Sequence, residues 1–139
     1  MSLAEAKMSG YPVRALLLQE EGDDYDALDI TIGNAGVVRC VFDADGSMHR
    51  MEIRSAAFRN QDGVGVDTTL AELARVYPHG DTMIGSAEGH FFVFSNASRI
   101  YFDLDRTGLA DRCFDPLAAP CDPDPDTRVV GMRIYADVD

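Results

Sequence analysis

Aspartate clusters, cysteines and histidines are the residues of this chain whose types and spacing could support chemistry. Asp43-Ala-Asp-Gly-Ser47 opens like a calcium loop. An EF-hand, however, needs glycine at loop position six, an acidic ligand at position twelve and helices on both sides. Here Gly46 falls at position four, Arg54 at position twelve, and strand-like segments flank the run, which predicts an Asp-Gly hairpin turn. Asp122-Pro-Asp-Pro-Asp126 carries enough charge to hold a hard cation weakly, but its prolines favour an extended, solvated loop. No metal ligand is assigned in either place.

Cys113 and Cys121 bracket FDPLAAP in an irregular segment, unlike a zinc ribbon with its close cysteine pairs. In an oxidising compartment they are expected to form a disulfide that stabilises the loop by ~2–3 kcal/mol in the chain-entropy picture. In a reducing cytosol both would stay thiols. Cys40 lies in phase with Val38 and Phe42, the pattern of a buried apolar residue. His49 is the one base that a Cys40 nucleophile could use, and both are expected on the core face, where no such pair is needed. His49, His79 and His90 share no H-x-H or HExxH spacing. Serine-elbow, Rossmann and Walker patterns are absent. Gly63 and Gly65 precede a helix start as phosphate-cradling glycines do. They lack a third glycine and a lysine, and Asp67 would repel a phosphate, so a structural turn is expected. Asp103 and Asp105 are the carboxylates a strand-borne hydrolase would use. No catalytic or cofactor-binding residue is otherwise assigned, and no cofactor is expected.

The elements that must position these residues can be read from periodicity. Leu70, Leu73, Ala74 and Tyr77 recur at helical spacing, with Glu72 and Arg75 facing water. Thr69-Leu-Ala-Glu72 has capping-box spacing and Pro78 ends the element, which predicts one short helix over about 68–77. Strands are expected at Tyr11–Gln19, Leu28–Ile32, Val37–Phe42, Met48–Ser55, His90–Phe94, Ser98–Leu104 and Val129–Ala136. Glu20–Asp26 reads as an acidic loop. Val38, Cys40 and Phe42 share one face, as do Ile100, Phe102 and Leu104; His49, Met51 and Ile53 are expected inward, as are Val130, Met132 and Ile134. The fold class is therefore α+β: a curved antiparallel sheet of seven or eight strands carrying one helix. Residues 1–10 read as a vector scar, Met1-Ser2-Leu3, followed by a flexible lead-in, and 11–139 as a single domain. Any signal peptide is expected to have been removed upstream.

The chain has 139 residues, is 46% hydrophobic and carries a net charge of -12, enough apolar material for one core. Such acidity disfavours nucleic acid and anionic membrane surfaces as partners. No run is long enough for a membrane-spanning helix.

Ile53-Arg-Ser55, Gly63-Val-Gly-Val-Asp-Thr68, Leu70-Ala-Glu-Leu73 and Tyr77-Pro78, followed by an aromatic hairpin, together resemble an element of small exported bacterial proteins and lipoproteins of unknown function. The resemblance spans Arg50 to Asp103. It implies an envelope location, periplasmic or otherwise exported, and no catalytic residues; a lipid-anchored form would need an N-terminal cysteine that this chain lacks. The expected role is a non-enzymatic binding module for a protein or an envelope component. The competing readings are a small-molecule carrier, with an apolar pocket lined by Met51, Phe91, Phe92, Phe94 and Phe102, and a hydrolase. Cytoplasmic residence is the competing location.

Overall fold

A computed structural model describes residues 10–20, 22–86, 89–96 and 98–136. The lead-in expected over residues 1–10 lies outside them, Gly10 excepted. The chain forms one open antiparallel sheet with a short helix on one face. The strands are β1 (Val13–Glu20), β2 (Asp23–Ile32), β3 (Gly36–Phe42) and β4 (Met48–Ile53), then β5 (Asp81–Ser86), β6 (His90–Ser95), β7 (Ile100–Leu104) and β8 (Val129–Tyr135). Their spatial order is β1-β2-β3-β4-β8-β7-β6-β5. Two four-stranded meanders therefore meet where β4 pairs antiparallel with β8.

The helix α1 (Leu70–Val76) links the meanders and starts on a complete capping box. The Thr69 hydroxyl accepts from the Glu72 amide at 3.2 Å, and the Glu72 carboxylate accepts from the Thr69 amide at 3.3 Å. The Leu70 and Ala71 amides, which no helix can satisfy internally, donate to the carbonyls of Thr127 and Pro125. That is the structural work of the Pro-Asp segment: it caps α1. Leu70 and Leu73 are buried against the sheet, while Ala74 is exposed and Val76 packs on the core in its place. Gly65 is required because a Cβ there would meet the Phe58 carbonyl at 2.4 Å.

The core lies between α1 and the sheet face bearing Leu28, Ile30, Val38, Cys40, Ile53, Phe92, Phe94, Phe102 and Met132. Several expectations need correction. The acidic run is not a loop: Asp23 to Asp26 continue β2, because Gly22, at φ 80°, closes a tight turn and lets them pair with β1. Asp81–Ser86 is an unforeseen strand, completing the eight. Val129, not Val130, is buried, since an irregularity in the β7–β8 register lies between Asp103 and Leu104.

Candidate functional site on the charged face of the sheet

The alternation that sends apolar side chains to α1 sends charged ones to the opposite face. Following the register across the sheet, Arg14 opposes Asp29, Asp29 opposes Arg39, Arg39 opposes Glu52, Glu52 opposes Arg133 and Arg133 opposes Tyr101. Each neighbour is opposite in charge until the row reaches the aromatic ring of Tyr101. Cross-strand pairs of opposite charge on one face stabilise a sheet, whereas like charges would destabilise it.

The geometry within this row is well formed. Arg39 grips Asp29 with both arms of its guanidinium, at 2.7 and 3.0 Å, and Arg14 approaches the same carboxylate at 3.4 Å. The Arg39 hydrogen bonds hold the Asp29 carboxyl below its ordinary range, against the opposing pull of burial. Arg133 binds Asp103 through Nε and Nη2 at 2.9–3.2 Å, reaches the Tyr135 hydroxyl at 3.2 Å, and lies 5.8 Å from the Tyr101 ring centroid. Arg50 was expected to point outward, and it does, yet it is only 6% exposed. It donates to both Glu20 oxygens and stands 3.8 Å from Glu52, while its buried Nε has no hydrogen-bond partner among the described residues.

An aromatic run crosses the same face. Tyr25 stacks on His49 at 5.6 Å, His49 meets the edge of Tyr135 at 5.8 Å, and Tyr135 meets Tyr101 at 5.6 Å. His49 is thus a correction: it was expected on the core face with Cys40. A register shift between Val41 and Phe42 leaves it unpaired in β4, and its ring joins Tyr25 and Tyr135, with Asp43 at 3.4 Å. Cys40 opposes Met51 in the core, so the sheet separates it from His49. Burial raises the Cys40 thiol pKa, the opposite of what a nucleophile needs.

Two of the clefts that open on this face adjoin one another. One of about 440 Å³ is lined by Asp29, Val37, Arg39, Glu52, Arg54 and Ser55. The other, of about 340 Å³, extends from Glu52 and Arg54 to Asp103, Arg106 and Arg133. Arg54 is shared by both, is exposed, and has no ion pair among the described residues. A guanidinium so placed can take a carboxylate or phosphate oxygen pair in its planar fork.

The remaining sequence candidates are dispersed. Phe92, Phe94 and Phe102 are 1–2% exposed and fill the core with Met51 packed beside them. Phe91 faces the other way and covers Gly85. The five proposed pocket residues are therefore not brought around one cavity. Asp103 joins the charged face, whereas Asp105 lies in a separate cleft of about 320 Å³ with Asp124 and Asp126. There the Asp105 carboxylate accepts from Thr107 and that of Asp124 from the Asp126 amide. Among the described residues no three His, Cys, Asp or Glu side chains gather as metal ligands. Asp45 is engaged by Ser47, inside the expected turn. Cys113 and Cys121 are disulfide-bonded. His90 stacks on the buried Phe114 at 4.1 Å, and His79 is exposed.

Half of the charged face was readable in advance, since Arg50, Glu52 and Arg54 alternate with apolar residues, as do Tyr101 and Asp103. The row itself was not, because its order depends on β8 inserting between β4 and β7.

Neither protein-family models nor curated proteins match the chain. Among solved structures it is similar to the uncharacterized protein yfeY from Escherichia coli, with a TM-score of 0.62 and 14% identity. The similarity covers 97% of this chain and 90% of that one. At that identity the likeness concerns the fold. Among the described residues no helix is long and apolar enough to cross a membrane.

Proposed function

We propose that the protein is an exported, non-enzymatic module that binds a protein or an envelope component through the charged face of its sheet. The observation that carries this reading is Arg54, an exposed guanidinium at the junction of two clefts, where Arg39 and Arg133 are ion-paired and Arg106 donates to the His90 carbonyl. A surface whose side chains are fixed by mutual ion pairs loses little conformational entropy when a partner docks. The same pairing argues against acid–base chemistry there. Asp29 and Asp103 are each bound by an arginine and Glu52 stands 3.8 Å from Arg50, whereas a general base must be able to take a proton. Support for export comes from the Cys113–Cys121 disulfide, a bond that persists in oxidising compartments.

The test is quantitative co-purification, after cross-linking in the native cell, of wild type, Arg54→Glu and the helix-side control Arg75→Glu. A partner retained by wild type and Arg75→Glu but lost with Arg54→Glu is the expected result. Equal recovery by all three overturns the assignment of the face. Export is tested separately by counting thiols in the unfolded, unreduced protein. One free thiol, that of Cys40, is expected, and three in the exported fraction would contradict it.

A further inference from the structure

Among the described residues the sheet is open, and β1 forms one of its two edges. It pairs with β2 in unbroken register along its whole length, and contains no bulge, proline or lysine. Those are the devices by which edge strands avoid pairing with other chains. Apolar side chains are also exposed along it: Val13 is 38% and Leu17 59% accessible. The opposite edge, β5, is different, with a 3-10 turn (Asp111–Phe114) packed beside it.

The hydrogen-bond parity of β1 restricts what can dock on it. The Thr31 amide donates to the Pro12 carbonyl at 3.0 Å, one step beyond the Val13–Ile30 pair. Bonded and non-bonded pairs alternate along an antiparallel ladder. Even-numbered residues of β1 therefore bond β2, and Val13, Ala15, Leu17 and Gln19 turn their N–H and C=O groups outward. An antiparallel partner must set outward residues against outward residues. If the partner is a second β1 related by a twofold axis at Leu17, then Leu17 faces Leu17, Ala15 faces Gln19, and Arg14 faces Glu20 at both ends. The next allowed registers on either side set Arg14 against Leu18 or Glu20 against Leu16, and lose both charge pairs.

We propose that the protein associates with a second copy of itself through β1, joining two sheets into one with Leu17 on the twofold axis. The strand is self-complementary in hydrogen bonding, with about six new backbone bonds at two per bonded pair. It is self-complementary in charge as well, and the symmetric pairing is closed, so it stops at two copies. The Arg14 side chain is 77% exposed and, among the described residues, is held by its 3.4 Å contact with Asp29, which leaves donors for Glu20 of the second copy, whose side chain stays 38% exposed beside Arg50. Leu16 and Leu18 pair across the junction on the charged face. This interface uses the sheet edge and not the clefts, so it stands or fails independently of the proposed function.

Sedimentation velocity of the full chain is expected to give twice the 15.2 kDa chain mass. Leu17→Lys should return it to the monomer with its circular dichroism unchanged. Leu17→Cys should give a covalent dimer on mild oxidation, because Cα atoms in a bonded pair stand about 5.5 Å apart, within disulfide range. Ala15→Cys alone should not cross-link, whereas Ala15→Cys combined with Gln19→Cys should. A monomer without a Leu17→Cys cross-link overturns the proposal, as does a cross-link through Ala15→Cys alone. An intramolecular bond between Leu3→Cys and Leu17→Cys in a monomer would assign the edge to the chain's own N-terminal segment and likewise overturn it.

Discussion

The two faces of the sheet are built from alternate residues of the same strands, yet they are held together by different physics. On the face beneath α1, Phe42 and Phe102 are at most 1% exposed, as is Leu73 of the helix above them, and they contribute through removal of apolar area from water. On the opposite face Asp29, Arg39, Glu52 and Arg133 stay partly exposed and stabilise one another through charge and hydrogen-bond geometry. Burial on the first face is large and insensitive to pH. Pairing on the second is modest, partly screened and tied to protonation. A surface of the second kind can exchange an internal partner for an external one at small cost, which a packed core cannot do.

Truncations should separate the faces most sharply. Phe102→Ala is expected to lower stability by ~3–5 kcal/mol and Leu73→Ala by ~2–4 kcal/mol, measured by urea unfolding. Tyr101→Ala, the neighbour of Phe102 on the charged face, should cost about 1 kcal/mol, the scale of a cross-strand pair. Equal losses at 101 and 102 would mean that the charged face is a second core.

Asp29→Asn tests the charged face by its pH dependence and should cost ~1–2 kcal/mol at neutral pH, given the partial exposure of Arg39. The folded Asp29 carboxyl titrates below its ordinary value of 3.8, chiefly because Arg39 bonds it. Its contribution is therefore complete above the unfolded value and disappears as pH falls through the lower folded one. Wild type and Asp29→Asn should converge in acid. A difference that persists there would assign the effect to packing.

What the sequence made legible follows the same division. The core face was readable in three strands, because Leu28, Ile30 and Ile32, then Val38, Cys40 and Phe42, then Ile100, Phe102 and Leu104 fall at every second residue. The capping box was readable because Thr69 and Glu72 are close in sequence. Smaller effects should follow from it: Thr69→Ala is expected to cost about 1 kcal/mol, and the exposed Arg75→Ala less than about half of one. The strand Asp81–Ser86 escaped because only Thr82 and Ile84 face the core, so its identity comes from pairing with β6. Asp23–Asp26 escaped because acidic residues disfavour strands locally, and pairing with β1 overrides that preference. His49 was misplaced by a register shift that no alternation rule anticipates. The ion-pair row needs the full strand order, a long-range property of the chain.

The aspartate turns provide the smallest expected effect. Carboxylate oxygens of Asp45 and Asp124 are engaged by local donors, so millimolar calcium should leave the unfolding midpoint unchanged. A site with a dissociation constant one-hundredth of the added calcium would instead add ~2.7 kcal/mol, and Asp124→Ala would abolish the gain.

The most direct test of the division of labour between the faces is site-specific photo-cross-linking in the native cell. A photoreactive residue would replace Arg54 on the charged face or Arg75 on the solvent side of α1. The account predicts a discrete adduct from position 54 and none from position 75. Adducts from position 75 alone would contradict it, placing the binding surface on the helix side of the molecule.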